Sequence, residues 1–138
     1  MKKDNSTKLI RSGLKRTEFM ETSEPLFLTS GFVYNSAEEA EDAFKERKNR
    51  FMYSRFGNPT IQMLQDKLAD IEGAEVCWCT STGMAAVFTI FMSFLKKGDR
   101  VVAGRALFGS CHHIITKILP RFGIEVELVD GKNLNAWE

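Results

Sequence analysis

The stretch Val76-Cys77-Trp78-Cys79-Thr80-Ser81-Thr82-Gly83-Met84-Ala85-Ala86-Val87 decides the fold. Val76 to Thr80 is a short β-prone run. Ser81-Thr82-Gly83 is a tight junction, and the chain then stays apolar from Met84 to Leu95, the length of a buried helix. The alternation repeats downstream. Gly98-Asp99 is a turn signal, Arg100 to Ala103 reads as a strand, and Ile124 to Val129 reads as another. Between them Phe108 to Leu119 reads as a helix, broken near Pro120 and Gly123. Strand, helix, strand, helix, strand implies right-handed crossovers and a mostly parallel sheet, an α/β fold.

Working back from that stretch, Asn58 caps and Pro59 opens a helix with Ile61, Leu64, Leu68 and Ile71 on one face and Gly73 as its stop. Ser36 and Glu39 have capping-box spacing, and Ala37, Ala40, Ala43 and Phe44 follow at helical intervals, so a second helix is expected to about Lys48. Glu24 to Tyr34 reads as extended. Residues 1 to about 20 read as a mobile or extended arm. At the other end Asp130-Gly131 is a turn and Asn133 looks like a cap for Leu134, Ala136 and Trp137. The chain stops at Glu138, within the first turns of that helix, so the expectation is a truncated piece of a longer protein.

Composition narrows the function. The 138 residues are 43% hydrophobic with a net charge of +1. Basic and acidic residues are interleaved, so no nucleic-acid partner is expected. The first nineteen residues lack the apolar core of a signal peptide. The run from Met84 to Leu95 is too short to span a bilayer, so no membrane partner is expected. Three cysteines argue against a disulfide framework, and a cytoplasmic location fits best.

Two places could carry chemistry. In a parallel sheet, ligands bind beyond the carboxyl ends of the strands. At Thr80-Ser81-Thr82-Gly83-Met84, hydroxyls could donate to an anion, and the N–H groups of Gly83 and Met84 would point the same way, aided by the helix dipole. Taken alone, the junction reads more simply as a hydroxyl cap on a buried helix. Tyr53 and Arg55 stand two apart; if extended, they share a side, and a phenol with a guanidinium suits a phosphate or carboxylate. Taken alone, an exposed Arg beside a packed Tyr is the commoner case. Cys111-His112-His113 cannot converge on one ion from a helix, since neighbours diverge by about 100°. Cys77 and Cys79 share a strand face with no second ligand pair, so no metal site is assigned. The chain has no dinucleotide-binding glycine motif, phosphate-binding P-loop, nucleophile elbow or paired catalytic carboxylates.

Read together, Tyr53-Ser54-Arg55-Phe56-Gly57-Asn58-Pro59-Thr60, Leu68-Ala69-Asp70-Ile71-Glu72-Gly73-Ala74 and Thr82-Gly83-Met84-Ala85-Ala86 are similar to the Cys/Met-metabolism, or trans-sulfuration, family of pyridoxal-phosphate (PLP) enzymes. The resemblance runs from about Arg11 to Glu138. Leu28-Thr29-Ser30-Gly31-Phe32-Val33-Tyr34 and Leu107-Phe108-Gly109-Ser110-Cys111 look most like the O-succinylhomoserine sulfhydrylase branch.

The resemblance implies the start of a fold-type I PLP-transferase large domain, with helices on both faces of a mostly parallel sheet, after an extended or helical amino-terminal arm. Residues 1–58 would be the arm and helix contacting a neighbouring subunit, and residues 59–138 the incomplete first part of the PLP-binding domain. Tyr53 and Arg55 would reach the PLP phosphate of that neighbour in a homo-oligomer, a dimer of dimers. Gly83 and Met84, with Thr82, would bind the phosphate of their own subunit. The residue before Gly109 lies against the PLP ring. Many members have a tyrosine there that assists proton transfer; Phe108 can stack but has no proton to donate. That departure favours the sulfhydrylase branch: γ-replacement on O-succinylhomoserine or O-acetylhomoserine by sulfide, giving homocysteine in methionine biosynthesis. Cystathionine γ-synthase, a γ-lyase or methionine γ-lyase is the alternative within the family. The Schiff-base lysine, the pyridine-nitrogen aspartate and the carboxylate-binding arginine all lie later in family sequences. The 138 residues alone are therefore expected to be inert, to act only as an interaction piece, or to be a free-standing phosphate-binding module. Exposed apolar surface should make them aggregate.

Overall fold

Local capping signals place most of the helices. The computed structural model describes residues 5–138, which fall into two compact units divided between Cys79 and Thr80. The first holds α1 (Asn5–Arg11), α2 (Ala37–Phe44) and α3 (Pro59–Glu72). The second holds α4 (Gly83–Phe94), β1 (Arg100–Gly104), α5 (Gly109–His113) and β2 (Glu125–Val129).

The amino-terminal arm is helical over α1 and fastened to α3. Lys8 Nζ donates to the Asp70 carbonyl and carboxylate, both at 2.9 Å, and Ser12 Oγ donates to the same carboxylate. Gly13 follows at φ +73°, where a Cβ would fall 2.3 Å from the Met63 carbonyl oxygen. Only glycine lets the chain pass α3 that closely. The mobile or extended reading therefore fails over α1, Asn5–Arg11, because partners some sixty residues away supply the order; residues 1–4 lie outside the described residues.

In α2, Ser36 Oγ accepts from Glu39 N at 3.1 Å, while the Glu39 carboxylate accepts from Asn35 N at 2.7 Å. The helix closes at Phe44, short of the expected Lys48, because Lys45 already leaves helical geometry and Glu46 turns to φ 55°. Arg50 then folds back, pairing with Glu39 at 2.7 Å, donating to Val33 O and stacking over Tyr34.

α3 begins and ends as its caps predict, but the buried face differs. Met63, Gln65 and Ala69 are buried, whereas Ile61 and Leu64 are 45% and 46% exposed. The arm passes close to Met63, whereas Gln65 and Ala69 face residues 75–78, and periodicity alone cannot say which stripe a neighbour will take.

Residues 76–80 form no strand. They are extended but have no ladder partner among the described residues, so three expected strands become two. A β-prone run needs a neighbour to satisfy its backbone groups. β1 and β2 pair in parallel, Arg100 opposite Glu125 through Gly104 opposite Val129. The connection departs from the single helix expected over Phe108 to Leu119. α5 gives way to a π-helical turn (Ile114–Ile118) and a 3-10 turn (Leu119–Phe122), with Pro120 inside the latter. The widened turn puts Ile114, Ile115 and Leu119 in the core with Ala103 and Ile124. The last segment, Leu134–Ala136, is a single 3-10 turn, and Asn133 makes no side-chain cap bond.

α4 is half-buried rather than buried. Met84, Val87, Phe88, Phe91, Met92 and Leu95 pack on the second unit's core at helical spacing. Ile90 and Phe94 remain 58% and 82% exposed, because the helix is apolar all round and its own unit covers one side. No helix of the described residues is long and apolar enough to cross a membrane.

Leu119 is fully buried. Leu119→Ala should cost about 2–5 kcal/mol by urea unfolding. Several carboxyl groups of the first unit titrate below their ordinary range. Glu24 is held down by its hydrogen bond from Lys67, Asp66 by that from Lys15, and Glu39 by the Asn35 backbone N–H. Folded values lower than unfolded ones contribute stability that is complete above the free carboxylate range, about pH 4, and lost as pH falls through the depressed values. The melting temperature should therefore be flat from pH 7 to 5 and fall below about 4.

Candidate functional site

The loop carrying Tyr53 and Arg55 is built by Asn58 and Thr60. Asn58 Oδ1 accepts from Thr60 N at 2.9 Å, capping α3. The other end of the same amide donates to Phe27 O and to Ser54 Oγ, both at 2.9 Å. Thr60 Oγ1 accepts from Phe27 N at 2.9 Å and donates to Pro25 O. Ser54 Oγ donates to Thr29 O, and Ser54 N to Ser30 O. Residues 25–31 and the loop are thereby tied to one helix terminus.

Within that frame residues 53–57 turn. Phe56 N and Gly57 N both donate to Tyr53 O, at 2.9 and 3.1 Å. Tyr53 and Arg55 are thus brought together by a turn, not by the alternation of an extended strand. The Arg55 guanidinium lies 5.1 Å from the Tyr53 ring centre and 5.5 Å from that of Phe56. Both residues are exposed, and among the described residues Arg55 forms no ion pair. An uncommitted guanidinium beside a phenol can take an anion from outside the unit.

The second unit holds the other groups. Thr82 caps α4, its hydroxyl oxygen accepting from Ala85 N at 3.0 Å, while its carbonyl accepts from Ala86 N. The hydroxyl proton stays free to donate. Gly83 N and Met84 N lie in the first turn, where no intrahelical acceptor exists. A Cβ on Gly83 would meet nothing within 4 Å, so the space beside this residue is open. Phe108 stands at the amino end of α5, 73% exposed, its carbonyl accepting from His112 N. Three donors beside open space, at the positive end of a twelve-residue helix, fit a phosphate.

The Cys/Met metabolism PLP-dependent enzyme family model matches residues 6–138. The chain belongs to that family. An O-succinylhomoserine sulfhydrylase of Mycobacterium tuberculosis is 47% identical over 129 residues, covering 94% of this chain and 32% of the relative. One of Pseudomonas aeruginosa is 37% identical over 132 residues, covering 96% and 33%. A solved structure named for O-acetylhomoserine (thiol)-lyase of Campylobacter jejuni superposes with a TM-score of 0.90 at 25% identity, covering 97% of this chain and 33% of its own. That structure carries a pyridoxyl-lysine monophosphate. The chain therefore spans about a third of the length of the relatives it matches. The cofactor of this trans-sulfuration family is pyridoxal 5'-phosphate, and the donors around Gly83 suit its phosphate.

The capping role of Asn58 is legible from its neighbours in sequence. Its two long-range bonds, to partners outside the helix, are not. Asn58→Ala should cost about 2–4 kcal/mol by urea unfolding, since it removes a cap and the amide donor to the Phe27 carbonyl. Asn58→Asp, which keeps the cap but loses both donors, should fall between Asn58→Ala and the unaltered chain.

Proposed function

We propose that the whole protein carries out γ-replacement on a homoserine ester, O-succinylhomoserine or O-acetylhomoserine, with sulfide, giving homocysteine for methionine synthesis. The observation that carries the reading is the α4 terminus, ready for phosphate, in the same unit as an exposed Phe108. When bound, PLP supplies an electron sink for loss of the substrate's protons and its acyl leaving group. The chain's own groups bind and orient. Gly83 N, Met84 N and the Thr82 hydroxyl donate to the phosphate. Phe108 offers a ring face for stacking and has no hydroxyl to move a proton, which supports a sulfhydrylase over a lyase. Tyr53 and Arg55 donate to the phosphate of a neighbouring subunit in a cytoplasmic homo-oligomer, a dimer of dimers. Residues 1–58 act as the arm towards that neighbour and residues 59–138 as the start of the cofactor domain. The chemical lysine belongs to the remainder of the protein, so the 138 residues alone are inert.

Two measurements test this. The whole protein should form homocysteine from the succinyl or acetyl ester and sulfide; turnover restricted to cleaving cystathionine or methionine would overturn it in favour of a γ-lyase. Arg55→Ala and Gly83→Asp should each abolish that activity alone. Mixing the two variants should restore part of it, because one interface then combines an intact Arg55 with an intact Gly83 site. No recovery on mixing would place Arg55 at its own subunit's phosphate.

A further inference from the structure

We infer, resting on the phosphate role proposed above for Tyr53 and Arg55, that Glu39 and Arg50 are positioning residues for that loop: their ion pair fixes its upstream end, and neither touches the phosphate. Two arginines five positions apart have opposite surroundings. Arg55 is exposed on its turn and forms no ion pair among the described residues. Arg50 is turned inward. Its Nη1 meets the Glu39 carboxylate at 2.7 Å, its Nη2 donates to Val33 O at 2.7 Å, and its guanidinium carbon stands 4.6 Å from the centre of the Tyr34 ring. The remaining nitrogen, Nε, is sealed from solvent with no partner among the described residues. A bidentate grip on an anion needs two free donors along one edge of the fork. On Arg50 one edge is spent and the other ends in the sealed Nε. This arginine therefore holds the chain and leaves the anion to Arg55.

Glu39 is the fixed end of the clamp. One oxygen of its carboxylate accepts from Asn35 N at 2.7 Å, and the other faces Arg50 and, at 3.8 Å, Lys48. The Glu39 side chain is 17% exposed and that of Arg50 23%, so water screens this pair less than an open surface pair. Residues 30–34 and 50–54 lie antiparallel beside it. Gly31 bridges to Tyr53, Ser54 N donates to Ser30 O at 2.9 Å, and Phe32 N donates to Met52 O at 3.2 Å. Past Phe32 the Arg50 guanidinium takes the next carbonyl, Val33 O, in place of a backbone donor. Asn58 pins the downstream end of the same loop through Ser54 and Phe27. With both ends held, Tyr53 and Arg55 are ordered before the phosphate arrives, and binding loses less affinity to ordering them. A lysine at position 50 would keep the charge but has no rigid fork to span Glu39 and Val33.

The whole protein, stripped of cofactor, can be titrated by absorbance with PLP and with pyridoxal, which lacks the phosphate. Arg50→Lys and Glu39→Gln should each weaken PLP binding about three- to thirtyfold and leave pyridoxal binding unchanged. Equal weakening of both ligands would mean general disruption and would overturn the proposal. Because Arg50 acts through the loop, Arg50→Lys should cost little more once Tyr53→Phe and Arg55→Ala have removed the groups it positions; an undiminished loss in that background also overturns it. Arg55→Ala by itself separates the two levels. If it weakens PLP but not pyridoxal, while Arg50→Lys and Glu39→Gln bind PLP like the unaltered protein, the phosphate role stands and the positioning role falls. If Arg55→Ala leaves PLP affinity unchanged, the phosphate role falls and the positioning role with it. If neither Arg50→Lys nor Glu39→Gln is folded by circular dichroism, the pair is a folding element and the proposal is overturned.

Discussion

The first unit hangs on the side-chain amide of Asn58. One small group caps α3, holds the carbonyl of Phe27 and anchors the hydroxyl of Ser54. Because Asn58 is 8% exposed, water cannot replace those bonds cheaply, and each needs its protein partner. Pro59 adds the fixed φ that starts the helix, and Thr60 doubles the tie to residues 25–27. The turn that presents Tyr53 and Arg55 is then determined from below. Its outward residues keep their polar groups uncommitted because its inward residues have done the anchoring. This explains how an exposed loop can hold a guanidinium 5.1 Å from a phenol ring without an acidic partner.

The second unit rests on a different constraint, apolar packing around a short parallel pair. β1 and β2 run in register, and the π-helical turn at Ile114–Ile118 delivers Ile114 and Ile115 to the same core. α4 lies against that core along one stripe, with its amino terminus open and its first N–H groups unspent. The exposed side of α4 and the unpaired stretch at residues 76–80 both fit a chain that matches about a third of its relatives' length. Segments that are apolar on two sides, or β-prone with no neighbour, need more protein than these residues provide.

Much of the candidate site was legible in the sequence because its signals are local. Thr82 caps α4 through a bond three residues away, and Asn58 caps α3 through a bond two residues away, both within reach of pattern reading. The pairing of Tyr53 with Arg55 has another cause than their spacing suggests. Alternation along a strand would place them together, but a turn does so. Gln65 gave no signal at all, because a glutamine inside a good helical pattern looks like any solvated position. Its burial depends on residues 75–79 lying across it.

By itself the sequence determined the starts of α2, α3 and α4, the two parallel strands, the family and the cofactor, since each rests on residues a few positions apart or on a contiguous motif. Tertiary structure alone decided which stripe of α3 is buried, that the amino-terminal arm is fastened, that residues 76–80 lack a partner, and that Gln65 is buried. Those outcomes depend on contacts such as Lys8 with Asp70 and Asn58 with Phe27, which join residues 62 and 31 positions apart. Their cost is loop closure and their reward is a hydrogen bond or ion pair between distant residues, and neither quantity can be read from a residue's immediate neighbours.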